Sequence, residues 1–194
     1  TIEMGAGQLM VTGDTDALMD ADFRFTDSAW RPVVDYEVRE GEGRLSVRTP
    51  SRPRLNLSGT MRYEWTIALT DRLPLDLAVT MGAGESKLEL GSLDLRRLQM
   101  NLGAGDTTID LLGEPEHDLV ADITAGVGAL TLRVPADVGI RVIGHRDGLG
   151  SYSADGFIQD GDALVNRAWD DGAKVRWEIT LRRGVGDVTI EMVE

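Results

Sequence analysis

The sequence predicts an all-β fold: a three-sided β-solenoid with coils of about 22 residues and capping hairpins or loops at both ends. Three observations lead to this prediction. Glycine triplets recur at a nearly constant spacing, apolar and polar residues alternate on both sides of them, and no stretch keeps apolar residues at helical spacing over three turns.

The recurring unit is a Gly-Xaa-Gly triplet. Seven triplets account for 14 of the 23 glycines: Gly5–Gly7, Gly41–Gly43, Gly82–Gly84, Gly103–Gly105, Gly126–Gly128, Gly148–Gly150 and Gly184–Gly186. The first glycines of the four triplets between residues 82 and 150 are 21, 23 and 22 residues apart. A fixed period in the twenties is typical of a solenoid, and a residue without Cβ suits a corner where stacked coils approach closely. We therefore expect the triplets to align along one corner.

The residues around the triplets alternate as they do in strands. Apolar residues stand two and four positions after the second glycine, as with Leu130 and Leu132. The outward positions that follow are mostly charged: Thr12, Arg48, Glu89, Asp110, Arg133, Asp155 and Glu191. This period of two predicts strands with one buried face.

Residues 88–111 contain one whole coil, in which three short alternating stretches are separated by polar or glycine-containing corners. Three strands in each coil predict a three-sided cross-section. Equivalent residues of successive coils would then stack about 4.8 Å apart.

We expect a single domain over residues 1–194, with N-terminal strands and a cap in 1–74, regular coils in 75–150, and a loop-rich C-terminal cap with the last strands in 151–194. The first region concentrates prolines and tryptophans: Pro32, Pro50, Pro53, Pro74, Trp30 and Trp65. The last carries Asp-Gly turn signals. Hairpins or long loops there would cover the ends of the solenoid. The best helical candidate, Asp14–Asp22, is predicted to be a loop or a single turn.

Composition excludes several classes of function. The formal net charge of −13 argues against binding to nucleic acid or to anionic lipid. The absence of cysteine rules out disulfides and thiolate chemistry, and two histidines leave little for histidine-based catalysis. No apolar run approaches the roughly 18 residues of a membrane span. Because the chain begins at Thr1, we expect a targeting or anchoring segment upstream of it.

The outward charges form the strongest enzymatic candidate. The predicted stacking places Glu89 above Asp110, with Arg133 and Asp155 next. Two carboxylates about 5 Å apart could act as the acid and nucleophile of a retaining glycosidase. A solvated ladder of alternating charges that supports strand pairing is the favoured interpretation, because nothing in the sequence suggests a groove over these residues.

Other candidate residues also have structural explanations. The acidic clusters Asp14/Asp16/Asp20/Asp22, Asp160/Asp162 and Asp170/Asp171 lack the spacing of a calcium loop and are interpreted as surface turns. His145 is predicted to be a half-buried structural residue. Three tryptophans could stack on sugars, but core or cap packing is favoured: Trp65, Trp169 and Trp177. The triplets lack the third glycine and the helix of a dinucleotide site. No catalytic residue, cofactor or metal ligand is therefore predicted.

Two longer runs resemble a known bacterial family. The first comprises Trp65–Leu69, Leu73–Leu77, Met81–Gly84, Leu88–Gly91, Leu93–Leu95, Leu102–Gly105 and Ile109–Leu111. It resembles the toast-rack domain. The second comprises Gly126–Gly128, Leu130–Pro135, Asp137–Ile140 and Gly184–Ile190. It is similar to the C-terminal domain of Lia-type cell-wall-stress response proteins and to adhesin-like β-solenoids. The resemblance implies an extracytoplasmic domain, commonly tethered by an upstream lipid anchor or membrane helix.

Together these features predict a non-enzymatic scaffold or binding domain of the bacterial cell envelope, at the cell surface or facing the periplasm, tethered by a segment absent from this chain. The alternatives are a polysaccharide-active β-helix enzyme and a sensory domain of an envelope-stress regulator. The expected partner is an envelope protein or glycan. We expect no contact of this segment with nucleic acid or membrane, and a monomer or weak dimer in solution.

Overall fold

The computed structural model describes residues 1–50, 62–144 and 148–194. They are nearly all-β, with a 3₁₀-helix at Ser28–Trp30 and a single α-helix, α1 (Arg167–Asp170). The strands of the described part are β1 (Ile2–Thr12), β2 (Met19–Phe25), β3 (Val33–Arg39), β4 (Glu42–Arg48), β5 (Tyr63–Leu69), β6 (Leu75–Glu89), β7 (Leu95–Ala104), β8 (Thr107–Asp110), β9 (Leu119–Val127), β10 (Leu130–Pro135), β11 (Gly139–Ile143), β12 (Tyr152–Ala154), β13 (Phe157–Asp160), β14 (Ala163–Asn166), β15 (Arg176–Val185) and β16 (Val188–Val193).

The strands pair in parallel at an offset of one coil. On one side of the glycine corner, β6, β7, β9 and β15 are successive neighbours, which pairs Leu98 with Leu77 and with Ala121. On the other side, β6, β8, β10 and β16 are successive neighbours, which pairs Ile109 with Leu88 and with Leu132. The predicted parallel stacking is therefore observed. The three-sided cross-section stays a prediction.

The glycine corner brings backbones into direct contact. A Cβ on Gly103 would lie 2.0 Å from the carbonyl oxygen of Gly82, and a Cβ on Gly105 would lie 1.9 Å from that of Gly84. Gly105 also has a φ of +129°, which L side chains rarely adopt. In the triplets that begin at Gly82, Gly103, Gly126 and Gly184, the first glycine is thus required by space, and the second by space and by conformation.

Six of the seven triplets join this stack, and the prediction that all align is wrong for Gly41–Gly43. Glu40 and Gly41 have φ values of 54° and 86° and form the two-residue turn between β3 and β4, in which Arg39 pairs with Glu42. Positive φ at both central residues is what a type I′ hairpin turn requires. This triplet therefore reverses the chain instead of turning a coil corner.

The coils do not stack in chain order at the C-terminal end. Strand β16 lies between β10 and β12, and β15 lies between β9 and β11. The triplet Gly184–Gly186 is therefore interior, and Gly148–Gly150 lies outside it: a Cβ on Gly150 would meet the carbonyl oxygen of Gly186 at 2.2 Å. The chain between β12 and β15 forms the hairpin β13–β14. Strand β14 of this hairpin pairs with the edge of β11 that β15 does not occupy.

Antiparallel strands flank the parallel coils near both ends of the chain, as predicted. At the N-terminal end β2 pairs with β5 and β3 pairs with β4. The loop predicted for Asp14–Asp22 is wrong from Met19, where β2 begins, because residues 19–25 pair in register along β5. Pro53 and His145 lie outside the described residues.

The inward side chains form one continuous apolar core. Its largest fully buried members include Trp65, Leu88 and Met100. Two polar side chains interrupt the inward row of leucines, isoleucines and valines: the hydroxyls of Ser86 and Thr107 are both buried and lie 2.7 Å apart. Because one hydroxyl donates a hydrogen bond to the other, neither side chain is buried without a polar partner.

The stacked corner predicts that Gly103→Ala will lower the free energy of unfolding by about 3–5 kcal/mol, because the added Cβ overlaps the backbone of the next coil. Gly41→Ala is the matched control, since a Cβ there meets nothing within 4 Å. Its cost should be about 1–2 kcal/mol, from the positive φ alone. Urea denaturation followed by circular dichroism measures both, and equal losses would show that the corner contacts are unimportant.

Candidate functional site

The outward charges after the glycine corner form a continuous ladder. Glu89 pairs in register with Asp110, Asp110 with Arg133, and Arg133 with Glu191. Asp155 does not lie next to Arg133 as predicted, because β16 inserts Glu191 between them. The reason is the order of the coils: β12, which ends at Ala154, pairs with β16 and not with β10.

The carboxylates of this ladder are engaged by cations. The Arg133 guanidinium lies 2.6 Å from Asp110 and 3.4 Å from Glu191, and Lys87 lies 2.6 Å from Glu89. Asp110 also accepts a hydrogen bond of 2.9 Å from the backbone N–H of Leu112. The arrangement is that of a surface ion-pair ladder, in which Arg133 bridges the carboxylates of two neighbouring strands.

The acidic residues that lie close together in the sequence do not converge on one site in the structure. Asp16 pairs with Arg72, Asp22 with Arg24, and Asp171 with Arg167. Across residues 1–50, 62–144 and 148–194, no three Asp, Glu or His side chains converge as metal ligands would.

The tryptophans separate into buried and partly buried rings. Trp65 is 1% exposed and contacts Phe23 and Tyr63 edge to face, with ring centroids 5.6 and 5.5 Å away. Trp177 is 4% exposed, which confirms the core packing predicted for it. Trp169 stacks under the guanidinium of Arg176 at 4.8 Å.

Burial and charge shift the pKa of two groups near the C-terminal edge strand β12. Burial raises the pKa of Tyr152 to about 12, and the nearby Arg183 guanidinium opposes this shift. Asp187 accepts hydrogen bonds from the hydroxyl and backbone N–H of Ser151, at 2.7 and 2.9 Å, which lower the pKa of its carboxyl. These contacts fasten β12 to β16.

A pocket of about 270 Å³ lies where two stacked corners differ in length. The shorter corner runs from Leu90 to Leu95, and the longer one from Leu111 to Leu119. Five ionisable side chains line the pocket: Asp71, Asp94, Glu114, Glu116 and His117. Its apolar wall consists of Leu90, Leu93, Leu95, Leu111, Leu119 and Trp177. We call this site the acidic pocket.

The backbone of the acidic pocket is fixed by the same kind of glycine contact as the main corner. A Cβ on Gly91 would lie 1.7 Å from the carbonyl oxygen of Leu112, and a Cβ on Gly113 would lie 2.1 Å from that of Gly91. The hydrogen bond from Leu112 to Asp110 fixes the start of the longer corner. Asp110 therefore belongs to the charge ladder and also holds the longer corner, although its side chain does not line the pocket.

The carboxylates of the pocket differ in their partners. Asp94 contacts His117 Nδ1 at 3.1 Å and accepts a hydrogen bond of 3.1 Å from Arg96. Asp71, Glu114 and Glu116 form no ion pair with any described residue. The indole Nε1–H of Trp177 is buried and has no hydrogen-bond acceptor within the described ranges.

Sequence reasoning did not identify the acidic pocket, although one signal was present. The spacing between the triplets that begin at Gly103 and Gly126 is 23 residues, two more than the preceding spacing. These extra residues fall in the corner between β8 and β9, where they lengthen it. A departure from an otherwise regular repeat marks the position of the pocket.

The ladder predicts that its two candidate catalytic carboxylates, Asp110 and Glu89, contribute unequally to the stability of the fold. Asp110→Asn should lower the free energy of unfolding by about 1–2 kcal/mol, because a partly buried ion pair and a backbone contact are weakened. Glu89→Gln is the control: its side chain is 43% exposed, so the loss should stay below about 0.5 kcal/mol. Thermal or urea unfolding measures both, and a larger loss for Glu89→Gln would contradict the geometry.

No helix in the described part of the chain is long and apolar enough to cross a membrane. A comparison with curated proteins finds no match to this sequence. Among solved structures, the chain is similar to the crystal structure of a proposed cell adhesion protein from Clostridium sporogenes, with a TM-score of 0.87 and 27% identity over 99% of this chain and 91% of that one.

A weaker similarity is found to a proposed adhesin from Bacteroides fragilis, with a TM-score of 0.32 and 14% identity over 97% of this chain and 92% of that one. The sequence of residues 1–133 matches the family described as the N-terminal domain of toast_rack, DUF2154. The chain therefore belongs to the toast-rack family.

Proposed function

We propose that this protein is a non-enzymatic scaffold or binding domain of the bacterial cell envelope, built as a three-sided β-solenoid and located outside the cytoplasm. Membership of the toast-rack family and the likeness to a proposed cell adhesion protein support this assignment. The partner is an envelope protein or glycan, and the domain is tethered by a segment outside this chain.

The observation that carries the proposal is the stacked glycine corner. Six triplets hold successive coils in backbone contact, so that the parallel strands keep one register along the stack. A backbone fixed in this way presents its exposed corners in constant positions. That property suits a protein that displays a binding surface at a distance from its tether.

The charge ladder supports binding over catalysis. A glycosidase needs one carboxyl group that stays protonated and one that is free to attack. Here Asp110 is engaged by Arg133, and Glu89 by Lys87. Both carboxylates are thus engaged in ion pairs, and neither lines the acidic pocket.

The proposal predicts binding without turnover. The purified chain, immobilised, should retain one component from panels of cell-wall glycans and detergent-extracted envelope proteins, and should leave each glycan intact by mass spectrometry. Glu89→Gln and Asp110→Asn together should leave retention unchanged. Asp160→Asn with Asp162→Asn, on the exposed hairpin β13–β14, removes the same formal charge and serves as the control.

Cleavage of a glycan that the Glu89/Asp110 double variant abolishes, and the Asp160/Asp162 control does not, would overturn the proposal in favour of a polysaccharide-active enzyme.

Location is tested separately in the native cell. Protease added to intact cells or spheroplasts should digest the domain, and complete protection there with digestion after lysis would contradict an extracytoplasmic position.

A further inference from the structure

We propose that the acidic pocket binds an amino sugar with a free ammonium group. This inference rests on the proposed binding function and names the chemical class of its ligand. Four features of the pocket carry it: unpaired carboxylates, their separation from one another, a buried indole N–H, and an aliphatic wall.

Charge is the first feature. Four carboxylates line the pocket, and no Lys or Arg side chain is among the residues that line it. Asp71, Glu114 and Glu116 lack an ion-pair partner in the described part of the chain, as set out above. Like charges around one concavity raise the local concentration of cations and favour a ligand that is positively charged.

Separation of the carboxylates is the second feature. No three of the acidic or histidine side chains in the described ranges approach one another as the ligands of one metal ion do. The carboxylates come from different segments: Asp71 follows β5, Asp94 lies on the shorter corner, and Glu114 and Glu116 lie on the longer corner. Hydrogen-bond donors spread over a ring, such as an ammonium and several hydroxyls, match this arrangement better than a point charge.

The buried indole is the third and independent feature. Trp177 lines the pocket, is 4% exposed, and has an Nε1–H with no acceptor among the described residues. A buried donor left unpaired is destabilising, because it has lost its hydrogen bonds to water. A metal ion, an ammonium or a guanidinium cannot accept a hydrogen bond, whereas a sugar hydroxyl or ring oxygen can. The indole thus favours a ligand that carries acceptors as well as charge.

The wall of the pocket is the fourth feature. It is aliphatic apart from Trp177, and the five leucines offer contact to the C–H face of a sugar ring. The volume of about 270 Å³ is of the order that a single ring of this kind requires. A neutral sugar would also satisfy the indole and the wall, but it would leave the unpaired carboxylates without a counter-charge.

The test uses the indole N–H signals of the four tryptophans, with the Trp177 signal assigned by its loss in Trp177→Phe. Glucosamine is added to the ¹⁵N-labelled chain at about pH 6, where its amine is protonated. We expect the Trp177 indole signal to shift saturably with glucosamine, and the signals of Trp30, Trp65 and Trp169 to shift much less.

Glu114→Gln with Glu116→Gln should weaken glucosamine binding roughly tenfold or more, because the charge-assisted hydrogen bonds to the ammonium are lost. The control Asp160→Asn with Asp162→Asn removes the same charge from the hairpin β13–β14, which does not line the pocket, and should not weaken it. A well-dispersed amide spectrum shows that each variant folds. If the Glu114/Glu116 variant does not fold, Asp71→Asn replaces it with the same expected direction.

Four results would overturn the inference: no shift of the Trp177 signal, equal affinity for N-acetylglucosamine, tighter binding of arginine amide, or a shift caused by Ca²⁺ alone. The second would indicate a neutral sugar, the third a basic protein segment, and the fourth a metal site. Continued retention of an envelope component in the experiment above would leave the proposed function standing when the pocket inference fails.

Discussion

The approach of one backbone to the next at the glycine corner is the constraint on which the rest of this structure depends. A Cβ on any of the interior corner glycines would lie about 2 Å from a carbonyl oxygen of the neighbouring coil. The coils can therefore stack in only one register, because a shift by one residue would bring a side chain into this contact and would also turn the apolar face of each strand outwards. The same alignment of the coils therefore both buries the apolar core and positions the glycine corner.

Once the register is set, the surface features follow from it. Charged residues at one position of each strand become a ladder, and Arg133 can join carboxylates from the strands on both sides. The same alignment places a longer corner against a shorter one, and the excess chain encloses the acidic pocket. Asp110 links the two, because its carboxylate contacts Arg133 and also accepts a hydrogen bond from the backbone N–H of Leu112 in the longer corner. The pocket is thus a local irregularity in an otherwise regular stack of coils.

The sequence was sufficient for the features that depend on local pattern. Alternation around the triplets predicted the strands, and the period predicted their parallel register. It was insufficient where the same sequence motif adopts a different backbone conformation. Gly41–Gly43 has the same Gly-Xaa-Gly pattern as the other triplets, yet Gly41 and the preceding Glu40 form a hairpin turn. Chain spacing also cannot show that β15 and β16 pair between coils formed earlier in the sequence. The side chains that line the acidic pocket come from residues as far apart in the sequence as Asp71 and Trp177. That same order of coils brings them together.

The insertion of β15 and β16 has a consequence for how the molecule is made. Synthesis proceeds from the N-terminus, so residues 176–193 leave the ribosome after all four strands with which they pair, although they occupy an interior layer with neighbours on both edges. Until they arrive, β9 and β10 on one side and β11 and β12 on the other have no shared partner to join them. Non-local pairing of this kind is slow to form and leaves strand edges open meanwhile. The nascent chain thus stays an incomplete stack until β15 and β16 are synthesised and close it.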